Sequence, residues 1–165
     1  MEEYIDFLNR EITKCISENM VHETSRKGSR ILSSYYKITG NIERISDHAI
    51  NICGYSEWLK KKSIVFSEEA KKEILECQRV CEEVFELLLN PNLEALDVLS
   101  RISAIEQRID DMTKQYRDNM IGRIKEGSCA EEGSILYSEM LTDFERIGDH
   151  ALNIAQELTE IRLAE

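Results

Sequence analysis

Glu43-Arg44-Ile45-Ser46-Asp47-His48-Ala49-Ile50-Asn51-Ile52 and Glu145-Arg146-Ile147-Gly148-Asp149-His150-Ala151-Leu152-Asn153-Ile154 decide how this chain is read. Eight of the ten positions are identical, at an offset of 102 residues. A stretch that recurs this closely marks a structural unit used twice. A weaker echo precedes each copy: Glu2-Glu3-Tyr4-Ile5-Asp6 resembles Glu106-Gln107-Arg108-Ile109-Asp110, at an offset of 104.

Outward from these copies, apolar residues recur every three or four positions, which predicts helices through most of the chain. The first spans 2–19 on Ile5, Leu8, Ile12 and Cys15. Residues 21–28 read as a polar loop. The second helix spans 29–61, with Ile38, Ile42, Ile45, Ala49 and Ile52 on one stripe. After a connector over 63–66, Ser67 caps a third helix whose Glu68 and Glu69 suit the positive end of the helix dipole. Asn90-Pro91-Asn92 ends it. The fourth helix spans 93–125 on Ile102, Ile105, Ile109, Met112 and Tyr116, and Gly127 stops it. Ser128-Cys129-Ala130-Glu131 is a capping-box pattern opening the fifth. There, Phe144, Ile147, Ala151, Ile154, Leu158 and Ile161 repeat like a heptad. Such seams predict an all-α fold, an antiparallel helical bundle of five long helices.

Helices one and two correspond to helices four and five; helix three has no earlier counterpart. The unit is thus a three-helix repeat, lacking its first helix over 1–62 and complete over 63–165, the two expected to pack as one domain. A two-helix unit leaves an apolar groove uncovered. The missing helix is therefore expected upstream in a longer natural chain, and a homodimer through the groove is the other way to cover it.

Composition narrows the function. One proline and seven glycines in 165 residues argue against an all-β protein, whose turns consume both. With 21 Lys+Arg against 32 Asp+Glu, the net charge of −11 argues against nucleic-acid binding and suits a chain that holds cations or basic partners. No apolar run approaches the ~18 residues of a membrane span. Met1-Glu2-Glu3 lacks the basic start of a signal peptide. The five cysteines are an odd number without CxxC pairs, and are expected to be reduced, buried thiols of a cytosolic protein.

The acids carry the chemistry. Glu43/Asp47, Glu145/Asp149, Glu2/Asp6 and Glu106/Asp110 each stand four apart, on one face of a helix. Like charges at this spacing cost a few tenths of a kcal/mol, so a purely solvated face would alternate signs instead. With Phe144 at heptad position a, none of the eight falls on the a/d seam, and they are predicted to line the exposed face of each hairpin. Adjacent helices bring two pairs together as four carboxylates, which a hard cation with oxygen ligands would neutralise. His48 and His150 sit beside the seam as ligands, as donors to a ligand, or as boundary residues. Arg44 and Arg146 are expected to pair with nearby acids, and Asn51 and Asn153 to bond those acids or a neighbouring helix. The Glu-x-x-His signature of buried di-iron bundles is absent, since Ser46 and Gly148 stand at its histidine position. No P-loop, HExxH or GxSxG motif occurs.

The duplicated Glu-Arg-Ile-x-Asp-His-Ala-x-Asn-Ile, each copy following a helix with Glu-x-x-x-Asp, resembles the PhoU family. The resemblance implies three-helix repeats whose E(D)xxxD motifs bind multinuclear metal clusters of Fe, Zn, Mn or Mg at the bundle surface. It places metal ligands at Glu43, Asp47, Glu145 and Asp149, with Glu2, Asp6, Glu106 and Asp110 from the companion helices. It implies a non-enzymatic regulatory domain tied to phosphate transport, with inorganic phosphate a candidate ligand of an open metal position. A chain that starts mid-repeat is similar to the cytoplasmic tails of bacterial Na+/phosphate cotransporters, at the inner face of the cell membrane. The alternatives are a stand-alone regulator of a phosphate ABC transporter and its sensor kinase, and a helical interaction module without metal.

Overall fold

A computed structural model of the chain describes residues 2–127, 129 and 131–164. Five helices follow in order: α1 Glu2–His22, α2 Arg26–Lys62, α3 Glu68–Leu88, α4 Ala95–Lys125 and α5 Glu131–Ala164. The all-α bundle expected from the sequence is the fold. The loop predicted over 21–28 contracts to three residues. Ser25 supplies the cap of α2 by accepting from the Gly28 N–H at 2.9 Å, and its own N–H is held by the Glu23 carboxylate at 2.7 Å. At the other end of α2, Ser63 adopts a left-handed conformation (φ 55°) that closes the helix. Ser67 accepts from the Ala70 N–H at 3.2 Å, capping α3 as read from the sequence. Helix α4 begins at Ala95, two residues later than predicted, because Asn90 folds into a turn by accepting from the Asn92 N–H at 3.0 Å. Gly127, at φ +68°, ends α4 in a conformation that disfavours other residues. The capping box proposed over Ser128 and Ala130 lies outside the described residues.

Helices α2 and α5 form the largest contact, with α1 on α2 and α4 on α5 flanking it. The α2–α5 contacts Arg30–Glu160, Lys37–Glu157 and His48–Asp143 advance in one helix as they retreat in the other, so the pair is antiparallel. Helix α3 lies in the groove between α4 and α5, antiparallel to the first and parallel to the second. Its apolar stripe Cys77, Val80, Cys81 and Val84 is fully buried against Ile102, Ile109, Tyr137, Leu141 and Phe144. The 3-1-3 spacing makes this a single helical face, which meets the seams predicted on α4 and α5.

The core is lopsided. Among the described residues, α5 buries fourteen positions and the longer α2 buries Ser34 and Leu59 alone. The expectation of five buried thiols needs correction for the same reason. Cys77 and Cys81 are buried, and desolvation pushes both thiols up to about 12, which leaves them inert. Cys15 and Cys53, on the α1/α2 side, are exposed.

One polar lock holds α3 down. Buried Glu73 accepts from Asn119 (2.7 Å), Arg123 (2.8 Å) and the Tyr137 hydroxyl. Burial alone would raise its carboxyl, but the hydrogen bonds from Arg123, Tyr137 and Asn119 outweigh it and hold the pKa below the usual range. The stabilisation is therefore present at neutral pH and is lost as pH falls through the lowered pKa. Glu73→Ala, which removes the acceptor of Asn119, Arg123 and the Tyr137 hydroxyl, is expected to cost about 3 kcal/mol in urea unfolding at pH 7. Hydrogen exchange should rise first in α3.

Candidate metal centre

The repeat places its acids twice. At the first site Asp6 on α1 meets Glu43 and Asp47 on α2, with a carboxylate oxygen from each within 4.8 Å of the others. The side chain of Glu2, the fourth acid predicted there, lies outside the described residues. At the second site Glu106 and Asp110 on α4 feel the charges of Glu145 and Asp149 on α5, but no three of these acids bring a carboxylate oxygen within 4.8 Å of one another, as Asp6, Glu43 and Asp47 do. Burial raises Glu106, and Asp110 and Asp149 raise it further. Burial raises Asp110 too, helped by Glu145 and Asp149. Burial and then Asp47 and Asp6 do the same to Glu43. The carboxyl groups thus crowd one another and lack solvent to relieve it.

Their position differs from the exposed face predicted by the heptad count. Asp6 and Asp47 are exposed, but Glu43, Glu106, Asp110, Glu145 and Asp149 are half-buried in the crevices between α1 and α2 and between α4 and α5. A straight heptad count treats each helix as facing one partner. Here α2 faces α1 and α5, and α5 faces α2, α3 and α4, so positions off the main seam fall into a second interface. Close approach makes the crevice between α4 and α5 narrow. A Cβ on Gly148 would stand 3.1 Å from Ile109 Cδ1, so the glycine in the second copy, against Ser46 in the first, serves helix packing.

The two sites differ in what surrounds the acids. At the second, Arg117 reaches Glu145 at 2.9 Å and Thr142 at 3.1 Å, and Arg146 pairs with Asp149 at 3.0 Å. Thr113, fully buried, donates to Glu145 at 3.4 Å and to the Asp110 carbonyl at 3.1 Å. The buried Oδ1 of Asp110 has no hydrogen-bond partner among the described residues. At the first site the repeat register puts Thr13 where α4 has Arg117, and Gly40 where α5 has Thr142. That register position carries no guanidinium, and an open groove of about 490 Å³ borders Asp6 and Glu43, lined also by Arg10, Lys14 and Arg44.

Between the sites, the repeats bolt to each other. His48 Nδ1 lies 2.7 Å from Asp143 Oδ1, to which Asn51 also donates at 3.4 Å. Reciprocally, His150 Nδ1 lies 2.9 Å from Asn41 Oδ1, to which Asn153 donates at 3.4 Å. The two imidazoles stack with centroids 5.5 Å apart. Burial, and then His48 and Arg44, keep the His150 pKa low, so His150 is neutral at pH 7 and donates from Nδ1. The asparagines thus bond the neighbouring helix rather than the acids before them. Asp143, Asn41 and Arg117 were missed in the sequence. Extending the repeat two residues upstream pairs Asn41 with Asp143, and that was the available signal.

The donor set fits a hard cation: carboxylates only, from two helices, with an orphaned buried oxygen on Asp110 and raised carboxyls that gain by charge neutralisation. Two expectations follow. In metal-free protein Asp110→Asn removes a strained charge and should raise the melting temperature by about 2 °C. Gly148→Ala sets a methyl 3.1 Å from buried Ile109 Cδ1, which must shift by a few tenths of an ångström, and should cost about 1 kcal/mol, whereas Ser46→Ala stays within about 0.5 kcal/mol by chemical denaturation.

Comparison with known proteins agrees with this architecture. The PhoU domain family matches residues 1–55 and 74–158. The chain is 29% identical over 163 residues to the "Phosphate-specific transport system accessory protein PhoU homolog 1" of Thermotoga maritima, which spans 97% of this chain and 69% of that protein. No solved structure matches the chain. With the greater part of its length matched by one family, this chain belongs to the PhoU domain family.

Proposed function

We propose that this chain is a non-enzymatic, metal-binding regulatory domain that acts with phosphate-transport machinery. The observation that carries the proposal is the Asp110 site: a buried carboxylate oxygen without a partner, among acids that raise one another's pKa, at the place the repeat duplicates. Asp6, Glu43 and Asp47 would hold a cation at the first site, and Glu106, Asp110, Glu145 and Asp149 at the second, with Glu2 assigned from the sequence alone. A bound Fe, Zn, Mn or Mg ion supplies the charge neutralisation that lets these acids stay ionised side by side. Each acid set joins two helices, so occupancy stiffens a hairpin and shapes the surface a partner meets. At the second site Arg117 and Arg146 already offset part of the charge, and they would have to swing away or share the carboxylates. The first site, with its open groove, offers room for a further ligand such as inorganic phosphate.

The phosphate connection rests on the name of the Thermotoga maritima relative, an accessory protein of phosphate-specific transport. That name supports an accessory protein of a phosphate transporter. The alternative setting is a cytoplasmic domain of a Na+/phosphate cotransporter. Among the described residues no helix is long and apolar enough to cross a membrane.

Protein purified without chelators is expected to carry metal by elemental analysis. Glu43→Ala/Asp47→Ala and Glu145→Ala/Asp149→Ala should each remove part of it, and the metal-dependent rise in melting temperature should shrink with it. Metal binding should weaken as pH falls, because the raised carboxyls of Glu43, Glu106 and Asp110 protonate first. Metal-free protein whose melting temperature ignores all four ions overturns the reading.

A further inference from the structure

The two acid sites are copies in sequence but unequal in charge balance. At the first, Asp6, Glu43 and Asp47 gather their carboxylates without an internal counter-charge. Arg10, Lys14 and Arg44 line the neighbouring groove, but none of them makes an ion pair with these three acids among the described residues. Arg10 is taken up by Glu11 at 3.5 Å and stands 5.6 Å from the centroid of the Phe7 ring, both on its own helix. At the second site two guanidinium groups stand inside the arrangement. Arg117 Nη2 crosses from α4 to α5, donating to Glu145 Oε2 at 2.9 Å and to Thr142 Oγ1 at 3.1 Å. Arg146 donates to Asp149 Oδ2 at 3.0 Å. Glu145 and Asp149 are thus engaged by arginines, and the second site's acids do not gather as the first site's do. The repeat register locates the difference. Arg117 corresponds to Thr13 and Thr142 to Gly40. Thr13 turns its hydroxyl to Asn9 of its own helix, at 3.4 Å. A Cβ on Gly40 would meet nothing within 4 Å, so the place where Thr142 anchors Arg117 is open space in the first copy.

We propose that Arg117, supported by Arg146, is a built-in cation that competes with metal at the second site, so that the two sites load in order. The first fills at low metal, and the second only where metal displaces the guanidinium groups. This order rests on the metal-binding role proposed above and assigns the two sites different affinities. A metal ion entering the first site breaks no ion pair. One entering the second must first break the Arg117–Glu145 and Arg146–Asp149 pairs, which are charge-assisted hydrogen bonds. A tenfold difference in affinity is about 1.4 kcal/mol, within the net worth of one such bond. Asp110 is what lets the second site load at all. Arg117 satisfies Glu145 but leaves the buried Asp110 Oδ1 without a partner, and a cation supplies what that oxygen lacks. Sequential loading gives one domain a response over two ranges of metal concentration, and the residue that sets the second range is Arg117.

The test titrates Mn2+ into chelator-stripped protein by isothermal calorimetry. Two phases are expected, the first about tenfold tighter than the second. Glu43→Ala/Asp47→Ala should remove the tight phase, and Glu145→Ala/Asp149→Ala the weak one. Arg117→Thr gives the second site the residue of the first and should tighten the weak phase about tenfold. Thr13→Arg makes the reciprocal change and should weaken the tight phase by a similar factor. Melting of the metal-free proteins gives a second readout. Arg117→Thr should lower the melting temperature, because Glu145 loses its counter-charge, and Thr13→Arg should raise it, because Asp6, Glu43 and Asp47 gain one. Equal affinity at the two sites, a tight phase carried by Glu145 and Asp149, or a weak phase that Arg117→Thr leaves unchanged overturns the proposal and leaves the metal reading standing. Protein that takes up none of Fe, Zn, Mn and Mg overturns both.

Discussion

The antiparallel contact of α2 with α5 is the constraint on which the rest depends. Each helix carries one copy of the same ten-residue motif, and each uses its histidine and asparagine to grip a residue on the other. The grip is reciprocal but not identical, because one target is Asp143 and the other is Asn41. Once the two motif helices are locked face to face, the third residue-level feature of the motif, its paired acids, must turn outward toward α1 on one side and α4 on the other. The metal-ligand candidates are thereby delivered to two crevices by one piece of packing. The stacked imidazoles mark the centre of this arrangement.

From that shared frame the two halves diverge. The α4/α5 half has a third helix, a fully buried stripe of apolar residues and a buried carboxylate lock at Glu73. Its acid crevice is tight, with Gly148 admitting Ile109 and with arginines laid against Glu145 and Asp149. The α1/α2 half keeps the acids but drops Arg117 for Thr13 and leaves its apolar flank uncovered. Duplication with such losses gives one rigid half and one that is open to ligands. Under the regulatory role proposed above, the open half is where a ligand enters and the filled half is what holds the shape.

Much of this was legible in the chain itself. The helices, the Ser67 cap and the Gly127 stop follow from local rules that act within a few residues. The acid pairs were legible because a repeated unfavourable spacing is an anomaly that needs no structure to notice. Glu73 was not legible: on α3 it is one of many glutamates, and only the approach of Arg123, Asn119 and Tyr137 from other helices distinguishes it. Asp143 stands two residues before the copied motif, opposite Asn41 rather than a second acid, so the repeat does not single it out, yet it is buried.

The sequence by itself determined the helical architecture, the internal duplication and which acids are candidates, of which the structure brings Asp6, Glu43 and Asp47 together, because periodicity and repeated residues are properties of order along the chain. Only the tertiary structure decided how deep those acids sit, which of them meet arginine, that Asp110 keeps an orphaned oxygen, and that Cys15 and Cys53 face solvent while Cys77 and Cys81 do not. The physical reason is that burial and charge are set by what arrives from other helices. A heptad register assigns each residue one neighbour, whereas α2 and α5 each meet two or more, and the second neighbour turns an apparent outer face into a crevice.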